Sequence, residues 1–288
     1  MSDITIINDS QQSELVTNGL AKNGELYLKA AGSTDEGAVV VYDSGSWRTF
    51  ANEFTGGYSN DNSLSFDGTD DYLTTSSTVT MGSSTFSFSW WNKKPGSLPN
   101  GSHFFGFGSS GSTLFRAMAW GDSVRAVMGP SPAYTGINHS NWQSGWNHIV
   151  YTMDGATHTL YWNGSQLAQV TSAPTFSSGT DTFEVARAPQ FSTAYQQIFV
   201  DEFSMFNATL SSSDVTALYN SGVPNDLNDS SSYNTDRTNN LVAWWRMGET
   251  DSGAGTTITN AASGTASGGS SFDLSFGGAP SFSTDVPS

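Results

Sequence analysis

Two adjacent carboxylates, Asp201 and Glu202, and a tighter acidic group, Asp67, Asp70 and Asp71, are the side chains of this sequence best suited to chemistry. A carboxylate pair can supply the acid and the nucleophile of glycoside hydrolysis, provided that both face one cleft. Neighbours on an extended strand point to opposite faces, so Asp201 and Glu202 are expected not to form that pair, and no catalytic residue is assigned. Hard oxygen ligands delivered by loops suit Ca²⁺, and a fold that brings Asp67, Asp70 or Asp71 near Asp201 would make a calcium site. The alternative is that Asp67 caps its own turn while the others are solvated. Trp120, Tyr134 and Trp142 lie in the loop-rich stretch 96–145, where exposed ring planes beside polar groups would recognise sugar. Rings of this kind can instead fill a core, as expected of Trp90, Trp146 and Trp162. His103, His139, His148 and His158 have no metal-ligand spacing and no nucleophile elbow beside them, and read as ordinary surface or strand histidines. With no cysteine, a disulfide framework, a zinc–thiolate site and a thiol nucleophile are excluded.

Composition sets the scaffold that must position these groups. The 288 residues carry 26 Asp and Glu against 10 Lys and Arg, a net charge of -16. Clustered cations are what bind a phosphate backbone or an anionic bilayer, so neither nucleic acid nor membrane is an expected partner. Only 12% of residues are charged while 13% are aromatic, amid abundant Gly, Ser, Thr and Asn. That is an all-β profile. No apolar run reaches 18 residues and no basic-then-apolar leader opens the sequence, which gives the expectation of a chain made in a cytoplasm and inserted in no membrane.

Three regions differ in texture. Residues 1–57 hold short alternating runs, among them Val39 to Tyr42 and Trp47 to Phe50, and read as a β-arm too poor in apolar residues to stand alone. In residues 58–222 the aromatics of Thr85 to Trp91 recur at every second position, as on a half-buried strand. The runs 146–153, 157–162 and 165–171, divided by Asp154-Gly155 and Asn163-Gly164, predict a three-stranded meander with tight turns. Strands are expected at 181–186 and 198–207. Ser211 and Asp214 have capping-box spacing before a helix whose buried stripe is Val215, Leu218 and Tyr219, ended by Gly222 and Pro224. Residues 223–288 open on a polar linker, 225–240, and then offer strand-like runs expected to pack back as an extension.

Four segments of the middle region resemble laminin-G-like, concanavalin A-like jelly-roll domains: Ser63 to Leu73 with its Phe66-Asp67-Gly68 and Asp70-Asp71, Phe86 to Trp90, Gly145 to Tyr151 continuing to Leu160 to Gly164, and Val200 to Phe203 leading to Leu210-Ser211 and Tyr219. The resemblance implies an all-β, two-sheet antiparallel sandwich of jelly-roll type with a short N-terminal arm and one short helix. Some such domains bind calcium, and the fold serves lectins, adhesion modules and hydrolases alike. The flanking segments Gly37 to Trp47, Leu241 to Glu249 and Phe282 to Pro287 are similar to segments of tailed-phage virion proteins. That similarity implies a non-enzymatic structural protein of a virion surface, a capsid fibre or decoration or a tail fibre. Its partners would be other virion proteins, further copies in a homotrimer, and host-surface glycans. A free carbohydrate-binding lectin, calcium-dependent or not, is the alternative.

Overall fold

The computed structural model describes residues 5–7, 10, 26–29, 39–43, 46–51, 58–81, 84–109, 112–128, 133–171, 179–189, 191, 193–229 and 235–288. The chain divides into two compact units, residues 1–59 and 60–288. In the first, β1 (Thr5–Ile7), β2 (Leu26–Lys29), β3 (Val39–Asp43) and β4 (Ser46–Ala51) form one sheet in chain order. β1 runs parallel to β2, and the expected hairpin is the antiparallel pair β3–β4, closed at Asp43 and Ser46.

The second unit is a sandwich of two antiparallel sheets. One contains, in spatial order, β12 (Ala133–His139), β11 (Ser123–Met128), β10 (Ser112–Trp120), β9 (His103–Ser109), β16 (Gly179–Val185), β6 (Tyr72–Thr75), β20 (Leu274–Gly277) and β19 (Thr257–Ile258), with β7 (Val79–Met81) also on β16. The other contains β15 (Ser165–Val170), β14 (Thr157–Trp162), β13 (Asn147–Asp154), β8 (Thr85–Lys93), β17 (Gln197–Phe206), β5 (Ser63–Asp67) and β21 (Ser281–Ser283), with β18 (Leu241–Trp245) also on β17. Residues after 240 thus enter both sheets. Trp245, Ile258 and Leu274 are buried in the common core.

Alternation along β8 explains how the layers lock. Phe86, Phe88 and Trp90 enter the core, where Phe88 lies 4.7 to 6.4 Å, ring centre to ring centre, from Phe105, Phe115, Phe183 and Phe203. Such offset and edge contacts add to simple area burial. The opposite face of β8 is not solvated, contrary to the half-buried pattern expected. Ser87 donates to Ala208 O and accepts from Leu210 N, and Trp91 stacks on Tyr219 of helix α1 (Ser212–Tyr219) at 5.9 Å. The chain after β17 therefore roofs the outer face of the central strands.

Helix α1 starts as its sequence dictates. Ser211 Oγ accepts from Asp214 N at 3.2 Å, while the Asp214 carboxylate accepts from Ser211 N at 2.8 Å. Val215 and Leu218 are buried, and the helix ends on Asn220 in the left-handed region, two residues before the expected glycine. A second helix, α2 (Thr235–Asn240), lies in the stretch read as linker, and its Arg237 pairs with Asp214 at 3.0 Å. The meander forms where expected, with one refinement. Asn163 and Gly164 both have positive φ and make the loop between β14 and β15, whereas Asp154 closes β13 and the preceding turn is Gly155-Ala156.

Candidate functional site

The β17 carboxylates do not obey strand alternation. Glu202 has φ 46°, and the register of β17 against β8 slips between Asp201 and Ser204. This is a β-bulge, which re-aims side chains. One carboxylate oxygen each of Asp201, Glu202 and Glu249 lies within 4.8 Å of the other two. The argument that alternation separates Asp201 from Glu202 is therefore overturned, because it assumed a regular strand.

Each member of this cluster is held by identifiable donors. Asp201, fully buried, accepts from Asn60 Nδ2 at 3.0 Å and from Glu202 N at 2.8 Å. Glu202, 4% exposed, accepts from Trp244 Nε1 and, at 3.3 Å, from Arg246 Nε. Glu249 Oε1 accepts from Asp61 N at 2.8 Å and Asn62 N at 2.6 Å. Burial first, then the charges of Glu202 and Glu249, push the Asp201 carboxyl well above the usual carboxylate range. Burial also raises Glu249. Two more oxygens here, Asn60 Oδ1 and Glu249 Oε2, are buried with no hydrogen-bond donor.

Asp67, Asp70 and Asp71 form a separate group, again with one oxygen each within 4.8 Å. Asp201 does not join it. Asp67 pairs with Gln197, four residues before Asp201 on β17, a separation of roughly 13 Å along a strand. Asp67 Oδ1 accepts from Thr69 N at 2.7 Å, which holds its carboxyl below the usual range. Asp71 accepts from Asp67 N at 3.0 Å and Ala279 N at 2.7 Å, so its oxygens tie the turn and the C-terminal extension. For the calcium that the family resemblance implies, the turn has spent Asp67 Oδ1 and both Asp71 oxygens on backbone donors, and the Asp201 cluster has spent both oxygens of Asp201, both of Glu202 and Oε1 of Glu249.

Of the three aromatics proposed for sugar, Trp120 presents a ring and Trp142 does not. Trp120 is 46% exposed at the end of β10, with the Arg125 guanidinium 4.4 Å from its ring centre. Trp142 packs edge-on against Trp162 at 4.9 Å and donates Nε1 to Asp122 O at 2.7 Å, which makes it a support for the adjoining turn. Tyr134 lies on β12, and its side chain falls outside the described residues. Trp90 and Trp162 are buried as expected, but Trp146 is only part-buried and outside the core, its Nε1 donating to Asp285 Oδ1 at 3.0 Å.

The four histidines lie on strands β9, β12, β13 and β14, within the reading of surface or strand histidines. His139 is exposed, while His103, His148 and His158 are buried. His148 Nε2 is 2.7 Å from Ser89 Oγ, beneath Tyr219, and burial lowers its pKa to about 3. The space that Ser89, His148 and Glu202 share is only about 10 Å³, room for a single water and for no substrate. A larger hollow of about 500 Å³ between Met81, Phe86, Met205 and Phe272 is lined by no titratable side chain.

Comparison with known proteins agrees with this architecture. The family described as concanavalin A-like lectin/glucanases superfamily, Laminin_G_3, matches residues 67–216. No curated sequence matches the chain. Among solved structures, a candidate carbohydrate binding protein from Bacteroides ovatus is similar at 12% identity and a TM-score of 0.55, over 92% of this chain and 71% of its own. Weaker likenesses include a SAP-like pentraxin from Limulus polyphemus, at 13% identity and TM-score 0.43 over 56% of this chain and 82% of its own. Domain 4 of an extracellular arabinanase from Geobacillus stearothermophilus, complexed with arabinotriose, scores 0.42 at 18% identity over 71% and 95%. The matched family spans more than half of the chain and coincides with the sandwich built above, so the chain belongs to the concanavalin A-like lectin/glucanases superfamily.

Proposed function

We propose that this chain is a non-catalytic carbohydrate-recognition protein in which the sandwich is displayed at the surface of a larger particle. The observation that carries recognition is Trp120: an indole 46% exposed at a loop-bearing end of the sandwich, steadied by Arg125. An exposed aromatic plane beside a fixed cation and polar turns suits a sugar ring, whose C–H face stacks while its hydroxyls bond at the rim. The candidate carbohydrate binding protein of Bacteroides ovatus supports the reading by its shared fold. The absence of catalysis is supported by burial. Asp201 and Glu202 are 0% and 4% exposed, and the space that Glu202 shares with Ser89 and His148 is about 10 Å³.

Display on a virion is supported by the flanking segments and by a separate four-stranded unit preceding the sandwich. On this proposal the first unit attaches to other virion proteins as a homotrimer and the sandwich meets host glycans. Glycan-array binding by the full chain is expected for the wild type and lost, by at least tenfold, in Trp120→Ala with an unchanged melting temperature. A blank array for the wild type removes the recognition reading. Glycan binding by Trp120→Ala at wild-type strength moves the site elsewhere. Release of reducing sugar from laminarin, agar or chitin would refute the non-catalytic assignment.

A further inference from the structure

The hollow of about 500 Å³ opens between the two sheets, where β7 and the start of β8 face the end of β17 and the loop before β20. Protein interiors hold few voids larger than one water, whereas small-molecule sites span roughly 300–1,000 Å³. The floor of this hollow is apolar and buried. Val79, Met81, Phe86, Met205 and Phe272, all on its lining, are each no more than 5% exposed. The mouth differs. Thr78, Thr85, Asn207 and Ser271 line it and are exposed, offering hydroxyls and an amide but no charge.

The walls are built by features of the chain. Alternation along β7 buries Val79 and Met81 and exposes Thr80, whose hydroxyl lies 2.7 Å from that of Thr180 on β16. On the opposite wall the Phe272 ring lies against Gly268, where a Cβ would come within 1.9 Å of it. Trp245 fixes the same turn by donating Nε1 to Phe272 O at 2.7 Å.

The lining selects among occupants. Water finds few partners on such a floor, and apolar walls that face a void forgo dispersion contacts. A sugar or an ion would lose its hydration with nothing on the floor to replace it. An apolar body recovers those contacts, and the two methionines, unbranched and polarisable, let the floor adapt to its shape.

We infer that this hollow binds an uncharged amphiphile: an alkyl or aromatic body seated against Met81, Met205 and Phe272, with a hydroxyl or carbonyl at the rim of Thr78, Thr85, Asn207 and Ser271. The site is independent of the glycan reading. Trp120 adjoins the turn whose Asp122 pairs with Lys94 at 2.7 Å, just past the end of β8, while the hollow lies at the start of that strand. The length of β8, roughly 25 Å, separates them.

The test uses the full chain and N-phenyl-1-naphthylamine, a neutral dye that brightens in apolar surroundings. Saturable brightening with one site per chain is expected, reversed by 1-decanol and not by laminaritriose. Decanoate should displace the dye at least tenfold more weakly than 1-decanol, because its charge meets no cation at the mouth. Thr85→Trp and Ser271→Trp, each placed at an exposed position of the mouth, should weaken dye binding at least tenfold. Hydrogen exchange of the wild type with 1-decanol should slow at residues 79–81 and 266–272 and stay unchanged in β10 and β11, which locates the site even if a variant does not fold. No brightening would overturn the site. Undiminished binding in both variants, or unchanged exchange at those segments, would overturn its place. Displacement by laminaritriose, or by decanoate as well as by 1-decanol, would overturn the ligand class.

Discussion

At the scale of single residues, burial decides what the polar groups do. His148 carries an ordinary imidazole, yet beneath Tyr219 and beside Trp91 it is desolvated and its pKa falls to about 3. Facing it are Ser89 from β8, Tyr219 from α1 and the Glu202 carboxylate across the small shared space. Below pH 6.5 the unfolded chain takes a proton that the folded chain refuses, so this contribution is complete above 6.5 and is lost as the pH falls toward 3. Between pH 6 and 4 the stability of the wild type should fall more steeply than that of His148→Gln, by about 1.4 kcal/mol per pH unit. Urea denaturation across that range measures the difference, and parallel curves would refute it. Asp201 was read as a partner of Asp67, Asp70 or Asp71 and as facing away from Glu202, and the structure groups it with Glu202 and Glu249 instead. Its importance was visible in the Asp-Glu pair, but a bulge with φ 46° at Glu202 is a property of the paired strand and not of the dipeptide.

At the scale of elements, local rules performed well where the signal is local. The Ser211–Asp214 capping box and the Asn163-Gly164 turn were both legible, because the side chain or the permitted φ of those residues nearly dictates the geometry. What covers an element was not legible. Period-two aromatics in β8 indicated one buried face, but α1 and the segment before it bury the other, through contacts more than 100 residues distant in sequence. The turn at Gly164 joins both kinds of constraint. A Cβ there would sit 2.7 Å from Tyr219 Cδ1, and φ is +77°. Gly164→Ala should destabilise the sandwich by about 1–3 kcal/mol through strain and overpacking. The change should appear as a lower thermal midpoint, with α1 amides exchanging faster; an unchanged midpoint would mean that α1 does not press on this hairpin.

At the scale of the whole molecule, the second unit is one compact body that includes the C-terminal extension. β18, β20 and β21 pair with β17, β6 and β5, and Trp245 stacks on Phe183 at 5.3 Å. A chain of residues 60–288 should unfold in a single transition with native near-ultraviolet dichroism. A chain ending at residue 240 should show none, since Trp245, Met247, Ile258 and Leu274 leave the core. Cooperative unfolding of the shortened chain would show the extension to be an accessory. The family match ends at residue 216, whereas β18, β20 and β21 lie beyond it and pair into both sheets.

The sequence by itself determined the all-β class, the meander, the helix start and the likeness to a laminin-G-like sandwich, because alternation, turn residues and caps act over a few residues. Only the tertiary structure decided which groups meet. It separated Asp201 from Asp67 and joined it to Glu202, Glu249 and Asn60. It turned Trp142 inward as a support and left Trp120 facing out. The physical reason is common to these outcomes: strand pairing, bulges and the roofing of one sheet by a distant segment are long-range events, and burial and electrostatics follow from them.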